Sequence, residues 1–327
     1  MDVQLVTFGE PLIRLSVPRG IPMAHARSFD AYVGGSELNV AIAASYLGVS
    51  CKFVSKVPAK GPGQMVVAAA RANGVDASDI VISQRGRVGL YFHDFGASQR
   101  PASVTYDRFP SVFQSVTSDE VDWERILGGA RVFHSSGITA ALGAGALGTL
   151  QAGVDTAKRM NVTVSFDINY RSALWSPTAC REALEPILKK VDVLFTSMGD
   201  LRTVLGINAP SLAAALPDLA SLGIPIIAGV YNDPDFRGAP WIAQAFVRGE
   251  IFTEQRDFTV DTVDRIGAGD AFAAGFVRGY LGRDIEAALR YGTAMMALKN
   301  SMLGDYCWAT IDDVDEFLLG SAAMVKR

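Results

Sequence analysis

Cysteine and histidine are scarce in this chain, three of each in 327 residues, and neither type forms a group with ligand spacing. Cys51, Cys180 and Cys307 stand far apart, with no Cys-x-x-Cys and no neighbouring histidine, so neither a disulfide framework nor a zinc site is implied. His25, His93 and His134 are isolated and read as structural. Basic residues are not gathered either: 30 Lys and Arg are interspersed with 34 Asp and Glu, for a net charge of −4. That argues against nucleic acid and against an anionic membrane as partners, and it requires any anion site to be built locally. No apolar run approaches the ~20 residues that span a bilayer. The first residues, MDVQLVTFGEPL, bring an acid and then a strand-like run, not a basic leader. A soluble cytoplasmic protein is expected. No Gly-Lys pair exists, which excludes a P-loop, and the His-Arg-Asp of protein kinases is missing.

What is present is apolar, 49% of the chain, enough for a large core. Short runs rich in β-branched residues predict strands at Gln4–Phe8, Cys51–Ser55, Val132–Ser135, Val162–Asp167, Val191–Phe195 and Ile224–Val230. Helical periodicity lies between them at Glu37–Leu47, Gly63–Ala72, Ala144–Arg159, Pro177–Lys190 and Ser211–Leu222. Alternation of this kind predicts an α/β fold with a mostly parallel sheet covered on both faces. The C-terminal third turns helical, at Asp270–Leu281, Ile285–Asn300 and Ile311–Leu319. Two strand pairs lack an intervening helix, Ile13–Val17 with Ser28–Val33 and Gly89–Phe95 with Ser103–Arg108. They suggest a small separate sheet lying over a site.

The segment Asp264-Arg-Ile-Gly-Ala-Gly-Asp270-Ala-Phe-Ala-Ala-Gly275 reads as a glycine-rich turn entering a helix whose Phe272, Phe276 and Tyr280 share one face. Such a turn is expected to leave the N–H groups of Ala268, Gly269 and Asp270 unpaired, an anion-attracting nest suited to a phosphoryl group in transfer. Gly267, Ala268, Gly269 and Asp270 are therefore the candidate catalytic group. Asp270 would accept the proton of an attacking hydroxyl, with the helix start keeping its carboxylate ionised. The plainer alternative is an Asp serving only as a helix cap.

A second segment, Gly34-Gly35-Ser-Glu-Leu-Asn39-Val-Ala-Ile-Ala-Ala-Ser-Tyr-Leu-Gly48, precedes it by roughly 230 residues. In this order the two resemble the paired signatures of the ribokinase-like (PfkB) carbohydrate kinases. The resemblance covers nearly the whole chain and is greatest to the 2-keto-3-deoxygluconate kinase branch. It rests further on Gly9-Glu-Pro-Leu-Ile-Arg-Leu15, Gly96-Ala-Ser-Gln-Arg-Pro101, Tyr106-Asp-Arg108, Ser136-Gly-Ile-Thr139, Asp167-Ile-Asn-Tyr-Arg-Ser-Ala-Leu-Trp-Ser176 and Ala297-Leu-Lys-Asn-Ser-Met-Leu-Gly-Asp305. It implies a three-layer α/β/α ribokinase-like fold, one kinase domain over residues 1–327, and a β-sheet lid from about 11–34 and 87–112.

The activity so implied is ATP-dependent phosphorylation of a sugar or sugar acid at a terminal hydroxyl. ATP and Mg²⁺ would be required, a monovalent cation is a further option, and a homodimer or higher homo-oligomer is implied. Gly34 and Gly35 would let the backbone approach the sugar, with Asn39, Ile138 and Asp305 lining its site. A keto-deoxy acid carries a carboxylate, which guanidinium groups bind through two parallel hydrogen bonds. Arg108 and Arg171 are the candidates, with Tyr91 and Tyr106 adding hydroxyls. Asn169, Ser197, Gly229 and Asn300 fall at nucleotide positions, though Asn300 reads equally as a helix C-terminal residue.

Departures from the pattern are specific. Ser197-Met-Gly-Asp200 replaces Asn-x-x-Glu, leaving the shorter Asp200 to order Mg²⁺ through water. The stretch from Ala228 to Gly238 lacks the lysine of the family's nucleotide loop. Arg14 stands where members acting on neutral sugars often carry Asp, which favours an acid sugar. Two rival readings are a fructokinase or other neutral-sugar kinase, and a non-catalytic sugar-acid-binding regulator. Gly143-Ala-Gly-Ala-Leu-Gly148 is a formal dinucleotide fingerprint, but it lies some seven residues past its strand, and a Rossmann turn needs its glycines directly after the strand.

Overall fold

Successive residues of a strand point to opposite faces of a sheet. In the computed structural model of this protein, which describes residues 3–97, 99–231, 241–256 and 262–320, that alternation sorts the core into two layers. Leu5, Val193 and Ile226 enter one apolar cluster, while their neighbours Val6, Leu194 and Ile227 enter the other. In chain order the strands among the described residues are β1 (Leu5–Phe8), β2 (Leu12–Ser16), β3 (Asp30–Gly34), β4 (Cys51–Pro58), β5 (Ile80–Ser83), β6 (Gly89–Asp94) and β7 (Ser103–Asp107). There follow β8 (Val132–Ser136), β9 (Thr163–Asp167), β10 (Val193–Phe195), β11 (Ile226–Val230), β12 (Trp241–Val247) and β13 (Glu250–Arg256).

The main sheet runs β13-β12-β11-β10-β9-β8-β1-β4-β5. From β11 to β5 every pairing is parallel, and β12 and β13 extend it as an antiparallel hairpin. One face carries the helices Ser36–Tyr46, Ala268–Leu281 and Ile285–Asn300, and the other carries Ala144–Arg159 and Pro177–Leu188. The Ser36–Tyr46 helix buries every residue from Glu37 to Ala44, the mark of a helix enclosed on all sides. The expected three-layer ribokinase-like α/β/α architecture is present.

The second sheet has the order β3-β2-β6-β7, in which two antiparallel pairs are joined by a parallel β2–β6 contact. It is built from the two segments that lack intervening helices. Its outer strand β7 is exposed along its whole length.

Sequence periodicity did not anticipate β5 or the β12–β13 hairpin. That hairpin turns on Arg248 (φ 49°) and Gly249 (φ 103°), and arginine hides a two-residue turn that Asn or Asp would have announced. The helix expected over Ser211–Leu222 is divided into a 3₁₀ turn, Ala213–Ala215, and a helix, Leu216–Ser221. Pro217 lacks an N–H and suits only a first turn, so a new helix starts there. Gly143 caps the Ala144–Arg159 helix, well past the end of β8, as expected of a chance glycine pattern.

Candidate active site

Parallel strands bring their C-terminal ends to one edge of a sheet, where open α/β folds form their crevice. At that edge a cavity of about 500 Å³ lies between the main sheet and the second sheet. Its wall includes Gly35, Ser36 and Asn39 at the start of one helix, Asp167, Asn169 and Arg171 beyond β9, and Ile138 beyond β8. From the second sheet come Tyr91, Tyr106 and Arg108, and from the C-terminal third come Arg265 to Asp270 and Asp305.

Asp270 is the third residue of its helix. The cap is Gly267, whose φ of 85° is left-handed and whose added Cβ would lie 2.0 Å from the Asp305 carbonyl oxygen. Asp270 is thus no cap. Ser36 Oγ donates to its Oδ1 and Asn39 Nδ2 to its Oδ2, each at 2.7 Å. Asn169 Nδ2 in turn donates to Ser36 Oγ at 3.0 Å, so a residue with φ 43° braces the chain of bonds.

Two expectations about this turn need correction. The Ala268 N–H is not free, because it donates to the Arg265 carbonyl at 3.2 Å, while those of Gly269 and Asp270 meet no acceptor among the described residues. The Asp270 carboxyl is also pushed above the ordinary aspartate range, not held below it. Burial outweighs the lowering by the Asn39 and Ser36 bonds and by Arg171. Asp167 is raised by burial and then by the charges of Asp200 and Asp270, whereas Asp200 is raised by burial.

The sugar-side residues divide by what already holds them. Arg108 is buried and its Nε lies 2.7 Å from Glu10 Oε2, which neutralises it, and its guanidinium also lies 5.3 Å from the Tyr106 ring centre. Arg171 is exposed and, among the described residues, its side chain makes only a 3.4 Å bond to the Tyr170 carbonyl. Tyr91 is buried, donates to Asp305 Oδ2 at 2.5 Å and packs 5.7 Å from the half-exposed Tyr106 ring. Asn39 reaches the cavity, but its amide N–H serves Asp270, leaving Oδ1 buried without a partner. Gly34 lies behind the wall, where a Cβ would meet Asp305 Oδ2 at 2.2 Å.

Arg14 is fully buried and absent from the wall. Its guanidinium meets Asp264 Oδ2 at 2.6 Å, Asp305 Oδ1 at 3.2 Å, Ser16 Oγ at 2.7 Å and His93 Nδ1 at 2.7 Å. Through these contacts it holds Asp305, and through Asp305 it holds Tyr91. Burial raises the Asp305 carboxyl to about 6 despite Arg14, and burial with Arg14 lowers His93 to about 4.

The expected nucleotide residues lie apart from this cavity, except Asn169. Ser197 caps the Met198–Thr203 helix and closes on Asp200, donating to Oδ2 at 2.9 Å and accepting from its N–H at 3.0 Å. Gly229 is a packing position, where a Cβ would meet the Thr196 carbonyl at 2.1 Å. Asn300 behaves as a helix C-terminal residue, donating to the Met296 carbonyl at 2.8 Å. Most of the loop lacking the family lysine, from 232 onward, lies outside the described residues. Among the described residues no three His, Cys, Asp or Glu side chains could together hold a metal.

Sequence reasoning missed Ser36, Asp167 and Arg265. Ser36 has a signal in retrospect, since a hydroxyl at a helix start is available to a neighbouring carboxylate. Arg265, like Arg171, reaches the cavity wall with no ion pair among the described residues, and nothing in its local sequence marks it.

Residues 3–306 match the family described as pfkB family carbohydrate kinase. The chain is 38% identical to a 2-dehydro-3-deoxygalactonokinase of Haloferax volcanii, covering 100% of both chains. It is 33% identical to a 2-dehydro-3-deoxygluconokinase of Thermoproteus tenax, over 93% of this chain and 90% of that one. The crystal structure of a 2-dehydro-3-deoxygluconokinase from Thermotoga maritima superposes with a TM-score of 0.92 at 32% identity, covering 98% and 99% of the two chains.

Proposed function

The chain belongs to the pfkB family of carbohydrate kinases, and from that premise we propose that it transfers the γ-phosphoryl group of ATP to the terminal hydroxyl of 2-keto-3-deoxygluconate, forming the 6-phosphate. The observation that carries this reading is Asp270, clamped by Ser36 and Asn39 on the wall of a 500 Å³ cavity beside two amide N–H groups that meet no acceptor among the described residues.

The sugar acid lies under the second sheet, which acts as a lid through Tyr91 and Tyr106. Its carboxylate pairs with Arg171, the cation of the expected pair that makes no ion pair among the described residues. Asp270 accepts the hydroxyl proton as that oxygen bonds to phosphorus and the bond to the departing ADP breaks. The amides of Gly269 and Asp270 offer fixed donors to the charge on the moving phosphoryl group. Burial raises the Asp167, Asp200 and Asp270 carboxyls, and a divalent cation brought near them by the nucleotide would favour their ionised forms. Mg²⁺ held by the nucleotide with Asp200 would supply neutralisation of phosphate charge.

Asp270→Asn keeps the shape and one acceptor for the Asn39 amide, turns the contact with Ser36 Oγ into one that residue 270 donates, and removes the base. Turnover in a coupled ADP-release assay should fall about 10²-fold or more, with the sugar KM within a few-fold. Turnover within threefold of the parent enzyme would overturn the assignment. A screen of 2-keto-3-deoxygluconate, its galactonate epimer, fructose and ribose tests the substrate, and a higher kcat/KM for fructose would replace the acid-sugar reading.

A further inference from the structure

The opposite edge of the main sheet holds a cavity that phosphoryl transfer does not use. It has a volume of about 910 Å³ and opens where the parallel strands begin. Its wall takes in the approaches to β8, β9, β10 and β11, the β12–β13 turn, and the Tyr280–Arg283 turn between the last two long helices.

The wall is cationic in a molecule whose net charge is −4. Arg131, Lys158, Arg248 and Arg283 line it with one acid, Asp192. That carboxylate is already occupied by Lys158 Nζ at 2.6 Å and by the Val164 N–H at 2.8 Å. Arg131 places one N–H on the Leu281 carbonyl at 2.8 Å, leaving the rest of its fork. The guanidinium groups of Arg248 and Arg283 meet no acid and no acceptor among the described residues.

Backbone conformation gives a second, independent sign. Non-glycine residues with left-handed backbone among the described residues are Asn161 (φ 57°), Asn169 (φ 43°), Arg248 (φ 49°) and Arg283 (φ 62°). Asn169 lines the candidate active site, and the other three line this cavity. Left-handed backbone is favoured by Gly, Asn and Asp and is costly for a long side chain. Arginine at 248 and 283 therefore opposes the local preference twice, at one place. Strain of this sort gathers at functional sites.

We propose that this cavity binds a small phosphorylated metabolite, with the phosphate gripped by Arg248, Arg283 and Arg131. Guanidinium forks match phosphate oxygens in pairs, and the volume is that of a small-molecule site. Beside the cations, the linked hydroxyls of Tyr280 and Thr163 (3.2 Å apart) and the apolar Ile226 offer a surface for the organic part. The shared chemistry is a phosphomonoester, from either a nucleotide or a sugar phosphate.

The test compares the parent enzyme with Arg248→Asn/Arg283→Asn, which removes both charges and gives each turn a residue it favours. Calorimetric titrations with AMP, with 6-phosphogluconate and with inorganic phosphate are run on both proteins. The variant should keep its kcat and a Tm at or above that of the parent. It should also lose at least tenfold in affinity for AMP or for 6-phosphogluconate, and whichever is lost identifies the source. In the parent that binding should weaken as salt is raised. Equal affinities in the two proteins for both organic probes would overturn the proposal. So would a difference confined to inorganic phosphate, because the site would then take a bare ion and no metabolite.

Discussion

Charge at single residues in this protein is governed by burial more than by position along a helix. Glu37 is 1% exposed, and burial raises its carboxyl to about 7 although Ser136 Oγ and Thr139 Oγ1 donate to it at 2.7 and 2.8 Å. Its folded value lies above the unfolded one, so the native state binds the extra proton between about pH 4.5 and 7. Stability from this group is fully present below that window and is lost as pH rises through it, by about 3 kcal/mol in all. Glu37→Gln should flatten the urea-unfolding profile between pH 4.5 and 7, and an unchanged slope would refute the assignment. The same logic puts the acid limb of the kcat profile above the ordinary aspartate range, because Asp270 must ionise to act. At the cavity mouth Arg171→Ala should raise KM for the sugar acid about tenfold or more, with a neutral sugar little affected. An equal rise for both would make Arg171 a structural residue.

At the scale of elements, the Ala268–Leu281 helix depends on how its first turn is set. Gly267 supplies a left-handed cap against the Asp305 carbonyl, whereas a Cβ on Gly269 would meet nothing within 4 Å. Gly267→Ala should therefore cost about 2 kcal/mol or more and displace Asp270 with it. Gly269→Ala should leave stability within about 0.5 kcal/mol. Denaturant midpoints for the two variants decide this, and equal losses would mean that close packing at Gly267 does not matter. Two elements cooperate in the clamp on Asp270, since Ser36 and Asn39 occupy the first two turns of one helix and Asp270 the first turn of another. Both helices bury most of their residues, so the clamp rides on rigid supports.

For the whole molecule, one sheet separates two apolar layers, with Cys51 and Cys307 in one and Cys180 in the other. All three thiols are buried, and desolvation pushes Cys180 up to about 12, Cys307 up to about 11 and Cys51 further still. A thiol reagent at pH 8 should leave the native protein unlabelled. In rising urea all three cysteines should become reactive together, because the layers share their strands. Labelling of Cys180 ahead of the others would show that the layers unfold separately.

The amino-acid sequence by itself determined the alternation of strand and helix, the two helix-free strand pairs, and the glycine turn before Asp270. Each depends on contacts between near neighbours in the chain, which period, turn chemistry and capping describe. Only the tertiary structure decided which charges remain available. Arg14 meets Asp305 across 291 residues, Asn39 meets Asp270 across 231, and Arg108 meets Glu10 from another element of the fold. Whether an arginine is neutralised, or a carboxyl is kept protonated, depends on what folding places within a few ångströms and on how much water it removes. No local pattern encodes either quantity, which is why Arg108 and Arg171 read alike as sequence and differ in the fold.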